Sequence, residues 1–186
     1  MSQSVSAAAS GVRFASSSAE MTLAIASDLA TAAWPGDLIC LWGDLGAGKT
    51  VVAKGFGAGL GVHDTINSPT FVLMAEYEGR LPLFHLDLYR LAGADDAYAG
   101  GLLDERQAAG VTLIEWPERF GDALPSDRLD VRIDGTGDDV RHISISATTP
   151  SLARYLAAVR TDIAAAPPAA SEPGPSVRAA ETGARP

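Results

Sequence analysis

Positive charge is scarce in this chain: 14 Lys and Arg face 23 Asp and Glu, the formal net charge is −9, and lysine occurs only as Lys49 and Lys54. A protein that grips nucleic acid unaided sets clustered Lys and Arg against the phosphates, so any nucleic-acid substrate of so acidic a chain would have to be held by a partner. Cysteine is nearly absent as well. Cys40 stands alone inside an apolar run, which excludes a disulfide framework, suits a reducing cytosol and reads as a small buried hydrophobe. Long apolar runs are missing. The most hydrophobic stretch, Met21 to Trp34, is broken by Ser27, Asp28 and Thr31 and falls short of the roughly 20 apolar residues of a membrane helix. Met1 to Ser10 lacks the basic start and apolar segment of a secretory signal. These absences lead to the expectation of a cytoplasmic protein with no membrane contact, and 186 residues suit one α/β domain with tails.

Against that background one stretch stands out. Gly43-Asp44-Leu45-Gly46-Ala47-Gly48-Lys49-Thr50 fits G-x-x-x-x-G-K-[ST], the pattern of a phosphate-binding loop. It follows the apolar run Leu38-Ile39-Cys40-Leu41-Trp42, read as a buried parallel strand, and precedes a segment from Lys49 to Leu60 that can form a helix. Glycines let the backbone bend around an anion, and the helix start adds N–H groups and a favourable dipole. In this arrangement Lys49 would reach the outer phosphates, and Thr50 would offer its hydroxyl to a Mg²⁺ ion bridging them. The bland alternative is an ordinary glycine-rich turn.

Along the rest of the chain, residues 1–10 read as disordered, Gly11 to Ala15 as an edge strand, and Ala19 to Ala33 as a helix capped from the Ser16-Ser17-Ser18 region. Strands are expected over Val72 to Glu78 and Leu83 to Leu88, joined at Gly79-Arg80 as an antiparallel hairpin, and again at Val111 to Ile114. Asp95 to Ala109 is weakly helical, with Leu102 and Leu103 as anchors. A second hairpin spans Arg128 to Ile133 and Val140 to Ser146, and a last helix spans Pro150 to about Ile163. Residues 164–186 are Ala, Pro, Ser and Gly with scattered charge, too poor in apolar residues to fold. The expected fold is a three-layer P-loop domain over 11–163, with parallel core strands and hairpin strands towards the edges of a mixed sheet.

A phosphate loop needs a second acid at a neighbouring strand end. Glu115, which closes the run Val111-Thr112-Leu113-Ile114, is the candidate, against the alternative of a solvated strand-end acid. Alternation in Leu83 to Arg90 puts His85, Asp87 and Tyr89 on one face. There Asp87 could orient a water or bind a metal-bound water and His85 could hold it, unless this is a solvent-facing polar side of the sheet. Ser68-Pro69-Thr70 offers hydroxyls in a stiffened turn that could act as a switch or simply start a strand. Trp116 fits either a stacking role or the core, and Arg90 and Arg119 either a charge-stabilising or a solvating one.

Taken together, GDLGAGKT, NSPTF, HLDLYR and IEWPERF, in that order over about residues 12–160, resemble the TsaE (YjeE-type) family of small P-loop ATPases in bacterial tRNA threonylcarbamoyladenosine synthesis. The resemblance implies ATP and Mg²⁺ as ligands and a TsaB–TsaD partner pair that transfers threonylcarbamoyl to adenosine 37 of tRNA, which is contacted only through those partners. Carried over by motif, the loop residues Gly43 and Leu45 to Thr50 would hold the nucleotide with Asp87. Lys49, Asp87 and Glu115 would be catalytic, Thr50 and Glu115 would serve the metal, and Ser68, Thr70 and His85 would be switch-like, with Trp116 stacking nearby. Val51 stands where a second hydroxyl often follows the loop threonine. No residue is diagnostic for adenine, and the region around Glu20 is the provisional place for its pocket. The rival readings are a small-molecule kinase, which usually needs an arginine-rich lid that this chain lacks after the loop helix, and a nucleotide-dependent switch module, for which no N-K-x-D guanine signature is present.

Overall fold

Apolar residues two apart along the central strands fall into separate cores, which is the pleat of a sheet covered on both faces. In the computed structural model, which describes residues 11–91 and 105–159, Ile39 and Leu41 join one buried cluster while Leu38 and Cys40 join the other. The same parity divides Leu83 from Phe84 and Leu86, and Val111 and Leu113 from Ile114. The strands are β1 (Gly11–Ser16), β2 (Leu38–Trp42), β3 (Met74–Tyr77), β4 (Leu83–Asp87), β5 (Val111–Glu115), β6 (Leu129–Asp134) and β7 (Arg141–Ala147). They form one sheet in the order β1-β7-β6-β2-β5-β4-β3. β2 pairs in parallel with both β5 and β6, and β4 pairs in parallel with β5. The antiparallel pairs β3–β4, β6–β7 and β1–β7 lie outside this parallel centre, as the two expected hairpins require.

Helices α1 (Ala19–Thr31), α2 (Lys49–Gly59) and α3 (Ala153–Ala158) contribute to the larger core. The smaller core is completed by Leu88, Leu91 and Phe120; Phe120 belongs to the 3₁₀ stretch Pro117–Ala123. α1 starts where Ser18 Oγ accepts from the Met21 N–H at 3.2 Å, a side-chain N-cap, and buries Thr22, Ile25, Ala26, Leu29 and Ala30, spaced for one helical stripe. Its last carbonyls are taken up by two arginines distant in sequence. Arg80 donates to Ala30 O at 2.5 Å and Ala33 O at 3.2 Å, and Arg154 donates to Ala32 O at 2.9 Å, a favourable sign at a helix C-terminus.

Some expected boundaries shift for local reasons. β3 begins at Met74 rather than Val72, because the Val72 and Leu73 N–H groups turn back to Pro69 O at 3.0 and 2.7 Å and Leu73 sits at φ +66°. The last helix is a 3₁₀ turn over Pro150–Leu152 followed by α3; the remainder of its expected span, 160–163, lies outside the described residues. So do residues 1–10, residues 164–186 and most of the weak helix from Asp95, of which Glu105–Ala109 is a 3₁₀ turn.

Two glycines fix how close α1 and α2 come. A Cβ on Gly55 would lie 2.5 Å from Leu23 O, and one on Gly59 would lie 2.5 Å from Ser27 O. One helical turn apart, they let the backbone of α2 rest directly on α1. Gly55→Val therefore overpacks this contact and should lower stability by about 2 kcal/mol, seen as a lower urea midpoint with unchanged slope; an unshifted midpoint would show that the helices can separate freely.

Candidate active site

The carboxyl ends of the parallel strands β2, β4 and β5 open on one side of the sheet, where open α/β sheets place their ligands. β2 delivers the loop from Gly43. Gly43 is held at φ +146°, and a Cβ there would meet Ile133 O of β6 at 2.5 Å, so the close passage of loop over sheet admits only glycine. α2 then starts at Lys49, and the first N–H groups of a helix have no partner within it.

Parity decides what lies beneath that helix start. His85 and Asp87 share a face with Leu83, and Glu115 shares a face with Val111 and Leu113, so all three acidic or basic groups lie on the face covered by α2. His85, Asp87 and Glu115 are buried, which replaces the solvent-facing alternative. The register pairs Asp87 with Glu115 across β4 and β5, and Leu41 of β2 pairs with Glu115 on the other side. Glu115 Oε1 accepts from Thr50 Oγ1 at 3.0 Å and lies 3.0 Å from His85 Nε2.

Asp87 has a separate set of partners. Its Oδ2 accepts from Thr70 Oγ1 at 2.6 Å and from Ser68 Oγ, and its Oδ1 accepts from the Tyr89 N–H at 2.9 Å. The stiffened turn is therefore tethered to β4 through its hydroxyls. His85 departs from the role read for it, since its ring bonds Glu115 rather than Asp87 and belongs to a buried strand rather than to the turn. Tyr89 lies beyond the end of β4, and its ring stands 4.9 Å from that of Trp116.

Lys49 Nζ donates to Gly43 O at 2.7 Å and Asp44 O at 2.9 Å and lies 3.7 Å from the Trp116 ring centroid, close enough for a cation–π attraction. Burial lowers the pKa of the Lys49 ammonium below the ordinary 10.5, with Glu115, Glu118, Asp87 and Asp44 pulling in the opposite direction. Trp116 occupies the left-handed region, φ +61° and ψ +49°, which is costly for a bulky side chain. Pro117 disfavours the ordinary helical alternative at that residue. The result turns the indole back over Lys49 as β5 ends. Arg90, one of the two arginines considered for charge stabilisation, stacks over Phe71, 4.1 Å from the ring centroid.

Lys49, Thr50, Ser68, Thr70, Asp87, Glu115 and Trp116 line one cavity of about 470 Å³ together with Leu45, Gly46 and Gly48. Ala47 is buried and lines an adjoining cleft of about 360 Å³ on the other side of the loop. That cleft is formed by Ser17, Ser18, Ala19 and Thr22 at the start of α1 and by Gly137, Asp138, Asp139 and Arg141 of the β6–β7 hairpin. Glu20 is exposed and outside this lining, between Ala19 and Thr22, which belong to it. Arg141 was not foreseen. It donates to Ala47 O at 3.0 Å and to Gly137 O at 2.8 Å, tying hairpin to loop, and nothing in its own sequence neighbourhood marks it.

The family model described as "Threonylcarbamoyl adenosine biosynthesis protein TsaE" matches residues 16–143. The tRNA threonylcarbamoyladenosine biosynthesis protein TsaE of Bacillus subtilis is 46% identical over 129 residues, covering 69% of this chain and 80% of that protein. The TsaE of Haemophilus influenzae is 36% identical over 140 residues, covering 74% and 84%. A crystal structure of Bacillus subtilis YdiB superimposes with a TM-score of 0.67 at 37% identity, covering 82% of this chain and 95% of that one. With its loop, its HLDLYR strand and its IEW strand end inside the matched span, the chain belongs to the TsaE family of tRNA threonylcarbamoyladenosine biosynthesis proteins.

Proposed function

We propose that this chain is a Mg²⁺-dependent ATPase that supports threonylcarbamoyl transfer to adenosine 37 of tRNA by a TsaB–TsaD pair in the cytoplasm, with the tRNA held by those partners. The observation that carries the reading is the convergence of Lys49, Thr50, Asp87 and Glu115 on one cavity at a glycine loop and helix start. Family membership supports the pathway, and the residues of the site support the chemistry. On binding, Lys49 would exchange the carbonyls of Gly43 and Asp44 for the outer phosphates, while the loop and the first turn of α2 receive the phosphate oxygens. The cleft between α1 and the β6–β7 hairpin is the place for the base and ribose, adjoining the loop through Gly46, Ala47 and Gly48.

The oxygen donors suit Mg²⁺. Thr50 Oγ1 and Glu115 Oε1 are 3.0 Å apart, and both are hard oxygen ligands. A Mg²⁺ ion held by one or two protein oxygens, water and phosphates has this kind of sparse protein shell. When bound, it would neutralise charge on the transferring phosphoryl group. Asp87 would orient the attacking water, and Ser68 and Thr70, now bonded to Asp87, would change partners with the nucleotide state. Among the described residues no helix is long and apolar enough to cross a membrane, and the net charge of −9 suits a subunit that leaves tRNA to others.

The test is MgATP hydrolysis by the purified chain with and without its cognate TsaB and TsaD. Hydrolysis should be stimulated by the pair and abolished by Lys49→Ala. Glu115→Gln should lower kcat by about 100-fold while leaving metal-free ATP affinity within a few-fold. Full ATP affinity in Lys49→Ala would remove the site assignment, and phosphate release indifferent to the partners would remove the coupling.

Lys49 also gives a pH prediction. Because burial depresses its pKa, the charged form that attracts phosphate is fully present at lower pH and is lost as pH rises through the depressed value. Nucleotide affinity should therefore decline on the alkaline side before the ordinary lysine value of 10.5 is reached. Calorimetric titration from neutral to alkaline pH checks this, with Lys49→Arg as control because its guanidinium stays charged; parallel profiles for the two proteins would refute it.

A further inference from the structure

We propose that His85 is the positioning residue for Glu115, holding the carboxylate oxygen that faces Thr50 by donating from Nε2; this rests on the nucleotide-site reading above. The β4–β5 register sets His85 opposite Leu113 and Asp87 opposite Glu115, so the imidazole lies one diagonal step from the carboxylate on the same face. It has no solvent exposure and its surroundings on the sheet are apolar, where a polar ring is retained only with a partner. That partner is Glu115 Oε1, 3.0 Å from Nε2, and the same oxygen accepts from Thr50 Oγ1 at 3.0 Å. Since a carboxylate only accepts, the contact selects the tautomer with the proton on Nε2. Nδ1 has no hydrogen-bond partner among the described residues, so the link to Glu115 is the polar contact that defines the ring's orientation.

Glutamate has three side-chain torsions, and the strand backbone alone does not choose among their combinations. Glu115 ends β5, where the chain departs into the left-handed Trp116, so no following strand residue packs against it. Asp87 is aligned by two hydroxyls and a backbone N–H. For Glu115 the corresponding partners are the Thr50 hydroxyl, which faces the cavity, and an imidazole fixed in the core. A ring that orients a metal-facing carboxylate in this way acts on metal affinity and on the chemical step without touching nucleotide.

The separating experiment compares His85→Gln with His85→Asn. The Gln amide nitrogen falls near the position of Nε2 and can still donate to Glu115, whereas the Asn amide is too short to reach it. Each protein is titrated with Mn²⁺ in its ADP-bound state, followed by electron paramagnetic resonance, and its ADP affinity is measured in chelator. His85→Asn should weaken Mn²⁺ binding about tenfold or more, leave metal-free ADP affinity within about twofold and lower kcat for ATP more than it changes KM; His85→Gln should recover most of the loss. His85→Asn with wild-type Mn²⁺ affinity, or Gln and Asn variants equally impaired, would overturn the positioning role. If His85→Asn does not fold, His85→Met takes its place as a side chain of similar size without a donor: Mn²⁺ affinity kept in His85→Gln and lost in His85→Met supports the donated bond, and equal affinity in the two rejects it. Failure of the wild-type protein to bind Mn²⁺ together with ADP would instead overturn the nucleotide-site reading and this inference with it.

Discussion

The hydrogen bond from Thr50 to Glu115 joins residues 65 apart in the chain at 3.0 Å, and the placement of the rest of the site depends on it being possible. It requires β2 and β5 to be parallel neighbours, so that a loop leaving one and an acid ending the other emerge side by side. β4 must then lie on the far side of β5 in parallel register, which puts Asp87 level with Glu115. Burial on both faces supplies the specificity. A one-residue slip of β4 or β5 would exchange His85 and Glu115 for Phe84 and Ile114 on the α2 face, leaving charged groups in the smaller apolar core.

A second constraint acts on the opposite side of the loop. Because Gly55 and Gly59 bring α2 onto α1, the capped start of α1 stands beside the loop and becomes one wall of the adjoining cleft. Arg141 fastens the other wall by bonding the loop at Ala47. Residues outside the loop thus determine whether it has a second compartment. Helix contact and hairpin tether reach it from the two ends of the fold, one through α1 and one through β6 and β7.

Much of this was legible in the sequence because its signals are local: a glycine loop between an apolar strand and a helix, alternation in Leu83 to Asp87, and an acid followed by Trp116-Pro117 at a strand end. Alternation also puts His85 and Asp87 on one face, but it carries no sign of which face is covered, so a solvent-facing polar side remains an alternative from spacing alone. The choice is made by α2, which is brought over β4 and β5 only in the folded chain. The partner of His85 needed the β4–β5 register, the role of Arg141 needed the β6–β7 turn to fold over the loop, and the left-handed Trp116 needed the indole's contact with Lys49. Each is a tertiary fact without a local pattern. The shortened start of β3 is the reverse case, a turn at Pro69 that competes with the strand and wins for two residues.

Charge gives the site its direction. Within it Lys49 is opposed by Glu115, Glu118, Asp87 and Asp44, so the local balance is negative even before a phosphate arrives. An unaccompanied polyphosphate would meet two buried carboxylates, an arrangement that low local polarity makes more repulsive. Under the proposed reading a divalent cation held by Glu115 and Thr50 would offset that repulsion. The same balance suits the inward placement of Lys49, whose ammonium is solvated by carbonyls of its own loop and by the face of Trp116. Under that reading the cation would ease the approach of the phosphates, and the acidity that suits a subunit leaving tRNA to its partners would also favour a metal-bound nucleotide over a free one.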